Sequence, residues 1–390
     1  MSAREALVWD ISDGMSVADA ARLHGVDRSC ANKWWRRFRD EGPAGLEERS
    51  RRPESSPNQT PQDLVDELLA LKRKHPLLGP EKLVDHMNEL HGKHVMATST
   101  AGTILDRHGL VKKRRKRYAS PGRIEHAPFE VAGAGDSMTA DFKGQIRMGN
   151  GALCYPLTLV DPFSRCVLDI VALPSTHMQP VIAAFERVFR EHGVPRQIIT
   201  DNGTPFCSSQ SLGGLTQLSR RWIELGSRPV RIQPGRPGQN GSHERMHRTL
   251  ADWIELHPRK DLRGHQRSFD TFVHEFNTIR SHKGLGRRKP ASVYRPYRPY
   301  PKSTCIEYDS TMETRLVNAN GEIKLKGKAV FLSDVLIGAH VGLIQTGEDC
   351  LAVYFGPLKL GYLDLARMRA VNRKPQPSSI ASATRGGSKG

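Results

Sequence analysis

The apolar residues near the start of the chain recur with the spacing of two short helices. Residues 16–40 contain an apolar stripe of helical period, then a glycine turn, then the segment W-W-R-R-F-R-D; the stripe comprises Val17, Ala20, Ala21 and Leu23. Gly25 supplies the tight turn, and Asp27 or Ser29 can cap the second helix. The pattern predicts a helix–turn–helix, with an ordinary helical hairpin as the alternative.

A second group of helical patterns follows between residues 60 and 111. Apolar residues at helical spacing predict helices at 62–74 and 79–90, and Thr98-Ser99-Thr100 begins a third at 98–108. These helices predict another helix–turn–helix-like domain. The six consecutive cations at 112–117 come next. Such runs are usually solvated, but this one also suits a tether that lies along phosphates.

From residue 133 the pattern changes to strands alternating with helices. Residues 136–143 alternate in polarity, with Met138, Ala140 and Phe142 on one face and Thr139 and Asp141 on the other. Further strands are predicted at 157–160, 166–173 and 198–200, and a helix over 181–189. This order of elements predicts a central α/β core.

Residues 303–372 have a third pattern, of short strands separated by glycine-containing turns. Strands at 315–317, 329–332, 341–344 and 351–355, with an Asn320-Gly321 turn, predict a small β-barrel. The chain is therefore predicted to be multidomain, with all-α helix–turn–helix domains at 1–48 and 60–111, a basic linker at 112–132, an α/β core at 133–295, a small β-barrel at 303–372 and a disordered tail at 373–390.

The charge of the chain indicates its class of partner. Its 390 residues include 59 Lys and Arg against 41 Asp and Glu, a formal net charge of +18. This excess favours a polyanion, nucleic acid before membrane. The predicted DNA-reading residues are the N-terminal and outward positions of the second helix, namely Arg28, Ser29, Asn32, Lys33 and Arg36.

Cysteine usage and hydropathy indicate the compartment. The six cysteines are scattered without a C-x-x-C pair, which argues against a zinc ribbon or a disulfide framework. No run of 18 apolar residues and no signal-peptide pattern occurs. The expectation is a soluble, cytoplasmic protein.

Three carboxylates stand where an α/β fold can bring them together. Asp141 lies within a strand, Asp201 follows the strand at 198–200, and Glu244 lies in a helix predicted after G-R-P-G-Q-N-G. Taken alone, Asp201 in D-N-G is typical of a turn. Phosphoryl transfer uses two divalent cations about 3.5–4 Å apart, and Mg²⁺ prefers carboxylate oxygens. The three acids together therefore suggest a two-metal site.

The segments D-F-K-G, T-D-N-G-T-P-F and G-R-P-G-Q-N-G-S-H-E-R-M-H-R-T-L resemble the catalytic blocks of bacterial insertion-sequence transposases of the DDE type. The resemblance implies a ribonuclease H-like core with a mixed sheet, shared with retroviral integrases. It implies that Asp141, Asp201 and Glu244 are catalytic and bind two Mg²⁺ or Mn²⁺ ions. It also implies binding of double-stranded DNA at the element ends and at the target, strand cleavage and transfer, and a homo-oligomeric synaptic complex. Arg236 and Arg248, both in the third block, are the predicted phosphate contacts.

Two features depart from the retroviral pattern. Glu244 follows Asp201 by 43 positions, a longer spacing than in retroviral integrases, and residues 208–228 form an extra segment that can absorb the difference. Helix–turn–helix domains stand where a His-His-Cys-Cys zinc module would be. Asp161, in D-P-F-S-R, is the main rival carboxylate and is predicted to be a turn residue.

The segment H-E-R-M-H at 243–247 also matches H-E-x-x-H, in which two histidines hold Zn²⁺ beside a general-base glutamate. A zinc metallopeptidase using His243, Glu244 and His247 is therefore a remote alternative. Arg245 and Arg248 would oppose the cation, so His243 and His247 are predicted to lie on the helix surface or to face DNA. The other alternative is a catalytically inactive, transposase-derived DNA-binding regulator.

Overall fold

The computed structural model describes residues 2–50, 59–111, 131–233 and 241–375, apart from the side chain of Ser242. The chain divides into two compact units, Met1–Pro61 and Gln62–Gly390. The basic run at 112–117, Arg236 and residues 376–390 of the predicted tail lie outside the described residues. Among the helices of the described ranges, none has the length and apolar character needed to cross a bilayer.

The first unit contains three helices, α1 (Ala3–Ser12), α2 (Val17–Leu23) and α3 (Arg28–Glu41). Ser16 caps α2, and Gly25 turns the chain with a φ of 63°, a conformation that costs glycine little. Buried residues of all three helices, including Trp34, form one apolar core. The predicted helix–turn–helix at 16–40 is confirmed by α2 and α3, and α1 packs against them as a third helix.

The second unit begins with α4 (Gln62–Lys74), α5 (Pro80–His91) and α6 (Thr98–Arg107), each within one residue of its predicted bounds. Their facing apolar side chains form a core in which Leu68, Leu83 and Met87 are fully buried. Polar contacts tie this group to later parts of the same unit. The Ser281 hydroxyl donates to Asp85 over 2.5 Å.

The centre of the second unit is a six-stranded mixed sheet. The strands lie in the order β4–β3–β1–β5–β6, and β2 also pairs with β3. β1 runs antiparallel to β3 and parallel to β5, which is parallel to β6. The mixed sheet expected from the sequence is thus confirmed. The strands are β1 (Ser137–Phe142), β2 (Ile146–Arg147), β3 (Leu153–Val160), β4 (Val167–Leu173), β5 (Gln197–Thr200) and β6 (Arg228–Arg231).

Helices cover both faces of this sheet. On one face, Met138 and Ala140 of β1 share a core with Phe185 of α7 and Trp222 of α8. On the other, residues of β3 and β4 share a core with α9 and α10. The alternation predicted for β1 therefore gives one apolar face and one face that carries Thr139. The helices are α7 (Met178–His192), α8 (Gln217–Glu224), α9 (Gly241–Leu256) and α10 (Leu262–Thr278), followed by the short α11 (Pro290–Val293).

The C-terminal strands form open sheets, which corrects the prediction of a small β-barrel. Five strands pair antiparallel in the order β13–β12–β11–β10–β7, while β8 and β9 pair only with each other. Because neither strand of this hairpin pairs with β7 or with β13, the described strands do not close. The strands are β7 (Glu313–Leu316), β8 (Glu322–Leu325), β9 (Lys328–Phe331), β10 (His340–Gly347), β11 (Cys350–Phe355), β12 (Leu358–Asp364) and β13 (Arg369–Val371).

The extra segment at 208–228 contributes to two cores. Trp222 packs against Phe185 of the central core, with ring centroids 4.9 Å apart. Other apolar residues of the segment join the core of the C-terminal strands, namely Leu212, Leu215 and Ile223. The residues that lengthen the interval between Asp201 and Glu244 therefore pack against the C-terminal sheets.

Candidate active site

Asp141 and Asp201 lie side by side at the carboxyl ends of two parallel strands. β1 pairs with β5 in a register that runs from Ser137 opposite Gln197 to Thr139 opposite Ile199. The same register, continued for two residues, leads to Asp141 on β1 and to Asp201 just after β5, and the charge of Asp201 acts on Asp141. Neighbouring strands are about 4.8 Å apart, and paired residues point to the same face of a sheet. The fold therefore makes the two carboxylates neighbours.

The turn after β5 holds Asp201 in place. The amide of Gly203 donates to Asp201 Oδ1 over 3.0 Å, and Asn202 Nδ2 donates to the carbonyl of Ile232 over 2.9 Å. An aspartate that accepts from the backbone two residues later forms an Asx turn. The D-N-G sequence is thus a turn, and this turn presents Asp201 next to Asp141.

Glu244 approaches the aspartates from the first turn of α9. Burial, then the charge of Asp201, and to a lesser extent that of Glu244, raise the pKa of Asp141 to about 7. The amide of Phe142 and the ammonium of Lys143 act in the opposite direction. The structure therefore brings two of the sequence-predicted carboxylates, Asp201 and Glu244, within electrostatic range of the third, Asp141.

This donor set fits a divalent cation. Three carboxylates supply the hard oxygen ligands that Mg²⁺ and Mn²⁺ accept. Burial first, and then the charges of Asp201 and Glu244, disfavour the ionised form of Asp141, and a bound cation would stabilise that form.

His243 and His247 face the sheet, which corrects the prediction that they lie on the helix surface or face DNA. His243 is fully buried, with Nδ1 2.9 Å from Thr139 Oγ1 and Nε2 2.6 Å from Thr158 Oγ1. His247 Nε2 lies 2.8 Å from the same Thr158 oxygen. Thr139 of β1 and Thr158 of β3, which the sequence reasoning did not select, therefore anchor the helix that carries Glu244.

Thr158 also fixes the protonation of both rings. Its single hydroxyl proton is donated to the carbonyl of Asp141 over 2.8 Å, so its oxygen accepts a hydrogen bond from each imidazole. Burial lowers the pKa of His247 to about 4 and that of His243 well below its usual value, so both rings are neutral. We assign each ring a proton on Nε2, so the Thr139 hydroxyl, which also lies 3.2 Å from the Val160 carbonyl, donates to Nδ1 of His243.

The contacts of His243 and His247 also argue about the alternative of a zinc metallopeptidase. Asp141, His243 and His247 can present ligand atoms within 4.8 Å of one another. A zinc peptidase would use both imidazoles as metal ligands. Here both nitrogens of His243 have threonine partners, and Nε2 carries a proton. The arrangement favours a structural role for His243 over zinc ligation.

Asp161, the rival carboxylate, is buried in its own turn. Its carboxylate accepts from the amide and the hydroxyl of Ser164, both over 2.7 Å, and from the Tyr297 hydroxyl over 3.3 Å. These contacts support the prediction that Asp161 is structural.

The residues predicted to contact DNA are exposed where the structure describes them. On α3, the five predicted positions point to solvent while Ala31 and Trp34 are buried; the five are Arg28, Ser29, Asn32, Lys33 and Arg36. Arg248 is exposed on α9, one helical turn beyond Glu244. Their contacts with DNA remain a prediction, as do those of Arg236, which lies outside the described residues.

Family models match the chain in three places. A homeodomain-like domain matches residues 30–105, a helix-turn-helix domain matches residues 4–54, and an integrase core domain matches residues 225–290. The last range includes Glu244 and α10.

Two curated relatives come from bacterial insertion elements. A 39.2 kDa protein of insertion element IS476 from Xanthomonas euvesicatoria is 25% identical over 201 residues, 51% of this chain and 55% of that protein. A 31.7 kDa protein of insertion element IS407 from Burkholderia multivorans is 25% identical over 189 residues, 48% and 65% of the respective chains. The chain thus spans little more than half, and just under two thirds, of these relatives.

Similar solved structures come from retroviruses. A chain of the simian T-cell lymphotropic virus intasome in complex with PP2A regulatory subunit B56 gamma is 16% identical, with a TM-score of 0.37, over 75% of this chain and 97% of that one. The HTLV-2 integrase catalytic core domain in complex with magnesium is 15% identical, with a TM-score of 0.33, over 42% and 99% of the respective chains.

The chain therefore combines helix–turn–helix domains with an integrase core domain, which defines a class of DNA-binding proteins with an integrase-type core. Within this class, its resemblance to insertion-sequence transposases of the DDE type, predicted from the three sequence blocks, is confirmed by the family models and the insertion-element relatives.

Proposed function

We propose that this chain is a DDE-type transposase, which binds the terminal inverted repeats of a mobile element and performs two-metal-ion DNA strand cleavage and strand transfer. The observation that carries the proposal is that Asp201 and Glu244 lie close enough to the half-buried Asp141 for their charges to add to the effect of burial on its pKa. The integrase core match and the insertion-element relatives support the same function.

In this proposal the three carboxylates hold two Mg²⁺ or Mn²⁺ ions. These ions supply activation of the attacking oxygen and stabilisation of the leaving oxygen at a phosphodiester. The strand register keeps Asp141 and Asp201 at a constant separation. The contacts of His243 and His247 with Thr158 set the position of α9, and with it Glu244.

In this proposal two parts of the chain bind DNA. The exposed residues of α3 read the element ends, and Arg248 and Arg236 contact phosphates near the carboxylates. Two element ends must be held together, so the active form is a homo-oligomer on the bacterial chromosome. The domain boundaries predicted from the sequence, including 133–295 for the catalytic core, form part of this proposal.

The test is nicking of short duplexes that carry the ends of the protein's own element. We expect full-length protein to nick them with Mg²⁺ or Mn²⁺ and to be inactive in EDTA. Asp201→Asn and Glu244→Gln should each abolish nicking, because each removes a charged metal ligand, while DNA binding in EDTA stays unchanged. Glu255→Gln is the matched control, since Glu255 is an exposed acid on the same helix.

Two results would overturn the proposal. If wild-type protein binds the duplex but never nicks it with either metal, the chain is a DNA-binding regulator. If a peptide bond is cleaved in a Zn²⁺-dependent reaction that requires His243, the chain is a peptidase. Nicking that survives Asp201→Asn would remove that residue from the metal site.

A further inference from the structure

A cavity of about 310 Å³ lies between α5, α9 and the loop that follows α10. Its lining is dominated by cations, namely Lys82, Arg165, Arg245, Arg280, Lys283 and Arg287. The carboxylates in the lining are Glu81 and Asp85, and both contact Arg287. Six cations against two carboxylates leave the cavity strongly positive.

The cations in this cavity act on one another. Burial, then the charge of Arg280, lowers the pKa of Lys82 to about 8. Burial, then the charges of Lys82, Arg280 and Arg165, lowers the pKa of His282 to about 3, so this ring adds no charge. Burial and the charge of Arg245 lower the pKa of Arg165. Like charges gathered in this way disfavour the folded protein unless an anion joins them.

The backbone is shaped to hold one of these cations in the cavity. Arg165 has a φ of 60°, a left-handed conformation that residues with a side chain rarely adopt. Its guanidinium lies over Gly284, at a point where a Cβ on residue 284 would clash with the guanidinium nitrogen. Strained backbone that persists in a native structure is enriched at functional sites.

We propose that this cavity is a binding site for a phosphate group of the DNA backbone. Guanidinium and ammonium groups are the protein's main phosphate ligands, and Thr249 adds a hydroxyl to the lining. Arg245 directly follows Glu244 in α9, so the helix that carries one proposed metal ligand also lines this cavity. Lys82 comes from the second helical domain, so the same phosphate connects that domain to the core.

A DNA phosphate fits the cavity better than a free phosphate ion. Three of the cations at its rim, Arg245, Lys283 and Arg287, are exposed, so the anion can belong to a longer polymer. The inference rests on the proposed function, because the DNA is the substrate of that function.

The test measures binding of full-length protein to an element-end duplex in EDTA, so that no cleavage occurs. We expect Lys82→Gln and Arg245→Gln each to reduce the slope of log affinity against log salt by about 0.9, the value for one lost phosphate contact. Arg267→Gln is the matched control, because Arg267 is exposed on α10 and does not line the cavity. Arg245 is exposed, so its variant should fold, and thermal unfolding checks both variants.

Ethylation interference locates the phosphate. Ethylation of one backbone phosphate should weaken binding by the wild type but make no difference to Lys82→Gln. Unchanged salt slopes for both variants, at full wild-type binding, would overturn the cavity site and leave the proposed function standing. Inorganic phosphate, added at constant ionic strength, could also compete with DNA for the wild type. If the variants bind DNA normally but are no longer affected by inorganic phosphate, the cavity binds the free ion and the DNA assignment is wrong. Wild-type protein that binds no DNA at all would overturn both proposals.

Discussion

Replacing Thr158 by Val tests whether the two histidines position the helix that carries Glu244. Val keeps the branched shape but lacks the hydroxyl, which contacts the Asp141 carbonyl and one nitrogen each of His243 and His247. Thr158 and His243 are fully buried, so water cannot replace the lost contacts. Each buried polar group left without a partner costs about 1–3 kcal/mol. Since the Nε2 group of the fully buried His243 loses its partner, we expect the free energy of unfolding to fall by about 1–3 kcal/mol.

The assay is urea unfolding followed by circular dichroism, together with Mn²⁺ titration by electron paramagnetic resonance. Thr158→Ser is the matched control, because it keeps the hydroxyl and loses one methyl group, a change of about 1 kcal/mol. We expect Thr158→Val, but not Thr158→Ser, to weaken Mn²⁺ binding, because α9 loses its anchor to β3. Equal stability and equal Mn²⁺ affinity in the two variants would refute the positioning role.

Three further predictions concern the carboxylates and one close backbone contact. In EDTA the free energy of unfolding should fall as the pH rises from about 4 to about 7. The pKa of Asp141 is raised from 3.8 to about 7 in the folded protein, so the unfolded chain loses this proton at a lower pH than the folded chain does. Asp141→Asn should lack this fall in urea titrations at several pH values; a fall of the same size in the variant would contradict the assignment. Asp161→Ala should lower the free energy of unfolding in urea by about 2–5 kcal/mol, because it leaves buried hydrogen-bond donors without an acceptor. The affinity for Mn²⁺ should stay unchanged. Weaker Mn²⁺ binding at full stability would instead make Asp161 a metal ligand. Gly193→Ala should lower the melting temperature in calorimetry, because its Cβ would meet backbone atoms of residues 297 and 298 at a φ of 86°; an unchanged melting temperature would count against that contact.

The spacing of apolar residues predicted the helices α4–α6 and the two faces of β1 correctly. The apolar stripes gave α4, α5 and α6 to within one residue because helix packing leaves a regular imprint on the sequence. The alternation in β1 correctly separated Met138 and Ala140 from Thr139. The acids of the site came from three sequence blocks, and the parallel register of β1 and β5 explains why two of them meet.

Features that depend on distant segments could not be predicted in the same way. Closure of the C-terminal strands depends on which strands pair, and the sequence of each strand does not specify its partner. The cationic cavity joins α5, the turn before β4, α9 and the loop after α10, which are far apart in the sequence.

The histidines of α9 could have been placed correctly. His243 and His247 occupy the same helical face as Met246 and Leu250, at spacings of three and four residues. This buried helical face is missed when the imidazole side chains are counted as polar.

The shared core of the segment at 208–228 limits how this chain can be rearranged. A core cut after residue 300 would leave Leu212, Leu215 and Ile223 in water, although they are buried in the intact chain. Exposing each aliphatic side chain of this size lowers the stability by about 1.5–3 kcal/mol and creates an aggregation-prone surface. The α/β core and the C-terminal sheets must therefore be kept together in any truncated or hybrid chain. The first unit, Met1–Pro61, has its own apolar core and can be exchanged separately.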